Sequence, residues 1–170
     1  MSAAPVDLFR RLTHGLYVVG VAHEGRRDAF TAGWITQVSF RPLLLALSIN
    51  PEHASYPLLV AGGGFTVNVL RRGQLELARH FGTLSGRDID KLAGGRWAQG
   101  PGGAPVLLDA AACLECRVAD RHPAGDHELV VGQVTGGRVL DSAAAPMTYA
   151  ETGDLDGSAE LFPGSFGPEK

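Results

Sequence analysis

Cysteine is nearly missing from this chain: Cys113 and Cys116 are the only two in 170 residues, too few for a disulfide framework. A surplus of charge is missing too. Fifteen Lys and Arg against eighteen Asp and Glu give a formal charge of −3, which supplies no basic field for tracking a phosphate backbone, so no nucleic-acid partner is expected. No apolar run approaches the roughly 20 residues of a membrane-crossing helix; the longest, at 43–47, has the length of a strand. No membrane association is expected. The start of the chain lacks a basic segment followed by an apolar run and a cleavage site, so the expected location is cytoplasmic. Internal repeats are absent, which argues against solenoids and propellers.

Metal and nucleotide signatures are also lacking. Cys113-Leu-Glu-Cys116 has no second pair at zinc spacing, and on a strand positions i and i+3 face opposite sides. The pair reads as small packing residues. His127-Glu128 has no histidine four residues after the first, and the six histidines show no paired spacing, so no metal site is expected. Gly62-Gly63-Gly64 precedes a strand and no Lys-Ser or Lys-Thr follows it; it reads as a helix stop. A Rossmann fingerprint is missing, so any nicotinamide must bind without that fold.

What is present suits one core. With 45% hydrophobic and 19% charged residues, a chain of this length folds as a single globular domain without staples. Apolar spacing predicts a helix over 6–12 that covers one end of the core. Strand-like runs follow at 16–22, 30–38 and 43–49, separated by turns at 24–28 and at Arg41-Pro42. Both faces of the first and third are apolar or small, as when a strand is covered on both sides. The pattern then gives a helix over 55–61, a strand over 65–70, a helix over 74–81, a Gly- and Pro-rich loop over 94–103, and a hairpin of 114–118 with 127–134. Connections this short favour antiparallel pairing, and a mainly β antiparallel barrel is the best reading.

Two stretches carry candidate chemistry. In Phe30-Thr-Ala-Gly-Trp-Ile-Thr-Gln-Val-Ser39, small residues let a flat ring approach the backbone while Thr31 and Thr36 offer hydrogen bonds; an ordinary strand explains it equally well. In Ser48-Ile-Asn-Pro-Glu-His-Ala-Ser-Tyr56, donors gather where a strand ends and a helix starts, a place that suits a phosphate, although simple capping accounts for it too.

Taken in order, Asp28-Ala-Phe-Thr-Ala-Gly-Trp-Ile-Thr-Gln-Val-Ser-Phe40, Pro42-Leu-Leu-Leu-Ala-Leu-Ser-Ile-Asn-Pro51, Phe65-Thr-Val-Asn-Val-Leu70, Gln74-Leu-Glu-Leu-Ala78 with Phe81, Asp90-Lys91, and Gly125-Asp-His-Glu-Leu-Val-Val-Gly132 resemble the flavin reductase-like family of FMN-binding split barrels. The resemblance runs from about residue 13 to 149. It implies a six-stranded antiparallel Greek-key split barrel with a few flanking short helices over 1–150, and a tail over 151–170 that is mobile or packed on a partner subunit. A homodimer with the flavin near its interface follows from the same resemblance. By position, Thr31, Ala32, Trp34 and Thr36 would line the flavin ring, Ser48 and Asn50 its edge, and Glu52, His53, Ser55 and Tyr56 the ribityl and phosphate groups. Phe81 and Lys91 lie in elements near that phosphate in relatives, and His127 matches the position beside the nicotinamide.

The family pattern departs at Glu52-His53-Ala54, where relatives often carry Lys or Arg. The implied activity is transfer of hydride from NADH or NADPH to FMN or FAD, with a monooxygenase component as a partner for the reduced flavin. The alternatives are an FMN-binding electron-transfer protein that does not use nicotinamide, and a noncatalytic small-ligand-binding barrel.

Overall fold

The computed structural model describes residues 3–167. It starts with a short helix, α1 (Pro5–Phe9), opened by a proline whose missing N–H costs nothing in a first turn. Strand β1 (Tyr17–His23) folds straight back as β2 (Arg26–Ala32). Between them Glu24 and Gly25 both take positive φ, 47° and 77°, the conformation a two-residue hairpin demands. The turn expected over 24–28 therefore shrinks to two residues, and Asp28 already pairs with Val21.

After Gly33-Trp34 the chain resumes as β3 (Ile35–Ser39), then β4 (Leu44–Ile49), helix α2 (Tyr56–Gly62), β5 (Gly64–Val69) and helix α3 (Leu75–Thr83). Two short strands, β6 (Trp97–Gln99) and β7 (Pro105–Leu107), pair with each other, and a long hairpin of β8 (Ala112–Ala124) and β9 (His127–Val139) completes the set. Seven strands form one antiparallel sheet in the order β2-β1-β5-β8-β9-β4-β3.

The structure thus corrects the six-stranded barrel. The sheet has seven strands beside a separate pair, and it is not closed. The run expected as one strand over 30–38 breaks at Gly33-Trp34, and its halves become the two outer strands of the sheet. The three Cα–Cα steps from Ala32 to Ile35 reach at most about 11 Å, so the sheet has to curl until its edges nearly meet, yet no ladder joins them. The loop expected over 94–103 also gains regular structure, because β6 lies within it.

Burial explains why β1 reads as apolar on both faces. Val19 and Val21 point into the curled sheet with Phe30, Leu47, Leu59, Phe65, Val67 and Val130. Val18 faces outward, into a second cluster with Leu16, Ala29, Leu70, Ala78, Phe81 and Met147. Helix α3 closes that outer cluster with Ala78 and Phe81, each fully buried large apolar side chain contributing about 1.5–3 kcal/mol. β4 differs from the expectation of two apolar faces: Leu45, Leu47 and Ile49 are buried while Leu44, Ala46 and Ser48 are only half-buried. Two register shifts in β8, at Glu115/Cys116 and Val118/Asp120, bend the long hairpin as bulges do.

Cys113 and Cys116 are both free and buried. Burial pushes their thiols up to about 11 and about 12, so neither is a nucleophile at neutral pH. Among the described residues, no helix is long and apolar enough to cross a membrane.

Candidate functional site

The break between β2 and β3 builds a cleft of about 230 Å³. The end of β2 supplies Thr31 and Ala32, the crossover supplies Gly33 and Trp34, and the end of β4 with its following turn supplies Ser48, Asn50 and His53. His127, the first residue of β9, closes one side, its ring 5.0 Å from that of Trp34. The crossover is pinned by the Ser48 N–H donating to the Trp34 carbonyl at 3.0 Å. Seven of the expected residues, Thr31, Ala32, Trp34, Ser48, Asn50, His53 and His127, therefore meet in one place.

Several of them already hold the fold. The Thr31 hydroxyl donates to the Ala78 carbonyl of α3 at 2.8 Å. Asn50 Oδ1 accepts the Glu52 N–H at 2.8 Å, which fixes the turn and leaves the amide N–H groups to face a ligand. His127 Nδ1 lies 2.8 Å from Asp126 Oδ1, and this hydrogen bond, with the imidazole's charge, holds the Asp126 carboxyl below its ordinary value. With Nδ1 engaged, Nε2 is the nitrogen available to a bound molecule.

His53 stands against Phe30, ring centres 4.7 Å apart, and its Nδ1 accepts the Ser55 N–H at 3.1 Å. An accepting Nδ1 assigns the proton of the neutral ring to Nε2, a donor. Burial, and then the nearby Lys91 ammonium, lower the imidazole pKa from its ordinary 6.5. Below about 6.5 the unfolded chain takes up this proton before the folded one does, so stability is full above that pH and falls as pH drops through the depressed folded value. The urea midpoint should therefore fall between pH 7.5 and 5.5, and by less in His53→Asn, whose amide oxygen replaces the Nδ1 acceptor. Equal falls in both proteins would assign the pH dependence elsewhere.

The other expected residues lie outside this cleft. Thr36 is on β3, beside a groove with Ile35, Leu43 and Val134. Glu52 is exposed, and its carbonyl accepts from Arg87 at 3.0 Å. The Tyr56 hydroxyl donates to Glu128 at 3.0 Å and accepts from Arg121 at 3.1 Å, tying α2 to the hairpin tip. Phe81 is buried in the outer core cluster. The Ser55 hydroxyl donates to Asp28 at 2.6 Å and the Lys91 ammonium pairs with the same carboxylate at 3.2 Å. Among the described residues lining the cleft there is no Lys or Arg.

Seven lining residues were not among the expected ones: Phe30, Gly33 and Ile49, which fall within the two candidate stretches, and Tyr149, Asp156, Ser158 and Leu161, which do not. The chain returns beside β1 through Leu16 N–H donating to the Met147 carbonyl at 3.0 Å and Tyr149 N–H donating to the His14 carbonyl at 2.9 Å. This sets Tyr149 over Gly33, where a Cβ would stand 3.0 Å from its ring. The Tyr149 hydroxyl then gathers the tail through Ser158 at 2.7 Å and Asp156 at 3.0 Å. Further on, the Phe162 ring packs 5.4 Å from Phe9 of α1. A capping box, Thr148 with Glu151, was the available sequence signal for this turn.

The chain is similar to known proteins over most of its length. The flavin reductase like domain matches residues 9–156. A putative diflavin flavoprotein A 3 of Nostoc is 36% identical over 135 residues, 79% of this chain and 24% of that protein. The FMN reductase (NADH) RutF of Methylorubrum extorquens is 33% identical over 135 residues, 76% of this chain and 65% of that one. The NADH:FAD oxidoreductase SgcE6 of Streptomyces globisporus superposes with a TM-score of 0.77 at 28% identity, over 95% of this chain and 90% of that one. The chain spans about a quarter of the diflavin flavoprotein's length and about two thirds of the reductase's. With its fold, its crossover cleft and this match over residues 9–156, the chain belongs to the flavin reductase-like family.

Proposed function

We propose that this protein is a flavin reductase that moves hydride from NADH or NADPH to FMN or FAD. The observation that carries the reading is the cleft at the β2–β3 break, where Trp34 and His127 stand together beside small residues and convergent donors. A bound flavin supplies the redox chemistry. Ala32 leaves the backbone open to a flat ring, while Ser48, the Asn50 amide and the His53 Nε2–H give it polar partners. Trp34 offers a broad apolar face. His127, oriented by Asp126, is positioned to hold the nicotinamide ring, so the protein contributes proximity and orientation.

Ser55 and Lys91 are committed to Asp28, and among the described residues no Lys or Arg lines the cleft itself; Arg26, Arg27 and Arg87 line a separate pocket beside Ala54. In this reading the flavin exchanges as a substrate, as delivery to a monooxygenase component requires. A second copy completes the picture: Phe40 is 80% exposed, with Val38 and Leu43 half-exposed beside it on the open β3 edge, a patch that suits a homodimer interface. The two reduced, buried cysteines fit a cytoplasmic setting.

The test is an anaerobic titration of the flavin-mixed protein with NADH and NADPH, followed by the loss of flavin absorbance. Bleaching is expected, with the flavin lost on desalting. His127→Ala should slow the bleaching roughly tenfold to a hundredfold while flavin still binds. Colour without bleaching by either donor defeats the reductase reading and leaves an electron-transfer flavoprotein; an unchanged rate in His127→Ala defeats the role given to that residue.

A further inference from the structure

A cavity of about 450 Å³ lies between α1 and the tail, larger than the crossover cleft and within the range of small-molecule sites. Its walls are aromatic: Phe9, Trp34, Tyr149 and Phe162, with Leu12 at the mouth. Phe9, Leu12 and Trp34 are 52%, 56% and 48% exposed, an apolar surface that folding alone leaves uncovered and that marks a binding site when contiguous. The cavity joins the crossover cleft, for Trp34, Tyr149 and Ser158 line both.

Charge narrows the occupant. Arg10 and Asp154 face each other at 3.9 Å and offset one another, and Asp156 stands on the shared wall's side of the tail. Arg10 is the one Arg or Lys among the described lining residues and Asp154 lies beside it, so a dinucleotide's two phosphates would meet a single, shared cation. Three of the lining residues, Ser158, Ala159 and Phe162, follow residue 156, where the family match ends. Flat rings stacked or tilted against such walls gain from both apolar burial and ring–ring geometry.

We infer that the cavity between α1 and the tail binds an uncharged planar aromatic molecule of two or three fused rings, next to the crossover cleft. Its binding does not rest on the function proposed above.

Calorimetric titration of the flavin-free protein tests it with 2-naphthol, with 2-naphthoate as the same ring bearing a charge, and with AMP. 2-Naphthol should bind at least about tenfold tighter than either. Ala159→Phe, which fills the cavity, and Phe162→Ser, which removes a wall, should each weaken 2-naphthol about tenfold or more, with FMN affinity unchanged. Equal or tighter binding of 2-naphthoate or AMP overturns the inference, as does 2-naphthol binding that neither variant weakens. If FMN fails to bind while 2-naphthol binds as described, the flavin reading falls and this one stands.

Discussion

Lys91→Met should lower the stability of the protein by about 3–5 kcal/mol, the cost of stranding one half of a buried ion pair. The Lys91 side chain is 1% exposed and that of Asp28 8%, with Nζ and Oδ1 3.2 Å apart. Asp28 also accepts the Ser55 hydroxyl at 2.6 Å and the Ala29 N–H at 2.8 Å, so the carboxylate is held by three donors of which one carries the balancing charge. Methionine keeps the length and apolar character of the stem while removing only that charge. At this chain length about 1 kcal/mol corresponds to about 2–4 °C, so circular dichroism should show a Tm lower by roughly 10 °C.

Asp28→Asn combined with Lys91→Met should lose much less than the two single losses added, because neither charge is then left alone. A Lys91→Met protein within about 1 kcal/mol of the parent would mean that water reaches the pair and that it behaves as a surface contact. The pair also conditions the candidate site. Lys91 is among the groups that lower the His53 imidazole, so its removal should bring the folded value back toward 6.5 and make the acid loss of stability smaller.

This pair marks a limit of what the sequence alone reveals. Lys91 and Ser55 look like phosphate donors by position, and nothing in their neighbours announces that both converge on Asp28 from distant parts of the chain. Local signals fared better. β1 and β5 follow from short apolar and β-branched runs between turn residues, and the β8–β9 hairpin from alternation, signals that act over a few residues only. Thr31, Asn50 and His53 show as polar groups at strand ends, Ala32, Trp34 and Ser48 are reached only through the family resemblance, and the structure places all six together. The break at Gly33-Trp34 is invisible because 30–38 is strand-like throughout; only the curl of the whole sheet decides that its halves belong to opposite edges. Tyr149 and the tail were hidden by a composition rich in Gly, Pro and acids, which ordinarily means no fixed structure, whereas hydrogen bonds to His14, Asp156 and Ser158 fix it.

β6 and β7 were hidden for a related reason, and the way they are held makes Gly20→Ala a second large loss. Gly20 lies in the middle of β1, opposite Ala29 and Thr66, at a position where the pattern invites valine. A Cβ there would overlap the Pro105 carbonyl oxygen and stand 2.5 Å from Thr66 Oγ1. Both atoms belong to the network that fastens β7 to the sheet: the Thr66 hydroxyl donates to the Pro105 carbonyl, Asn68 Nδ2 donates to the same oxygen at 3.3 Å, and Asn68 Oδ1 accepts the Leu107 N–H at 2.8 Å. All of these groups are buried, so relief by backbone movement leaves donors and acceptors unpaired at about 1–3 kcal/mol each, on top of about 1–3 kcal/mol of overpacking. A total near 3–4 kcal/mol is expected from denaturant unfolding, and hydrogen exchange should speed first at Leu107, whose N–H is held by Asn68 alone across the two layers. Thr66→Val separates the two contributions, since it deletes the hydroxyl without adding bulk and should cost less than half as much. If Gly20→Ala unfolds at the parent's denaturant concentration, β7 does not rest on β1 as closely as its hydrogen bonds require.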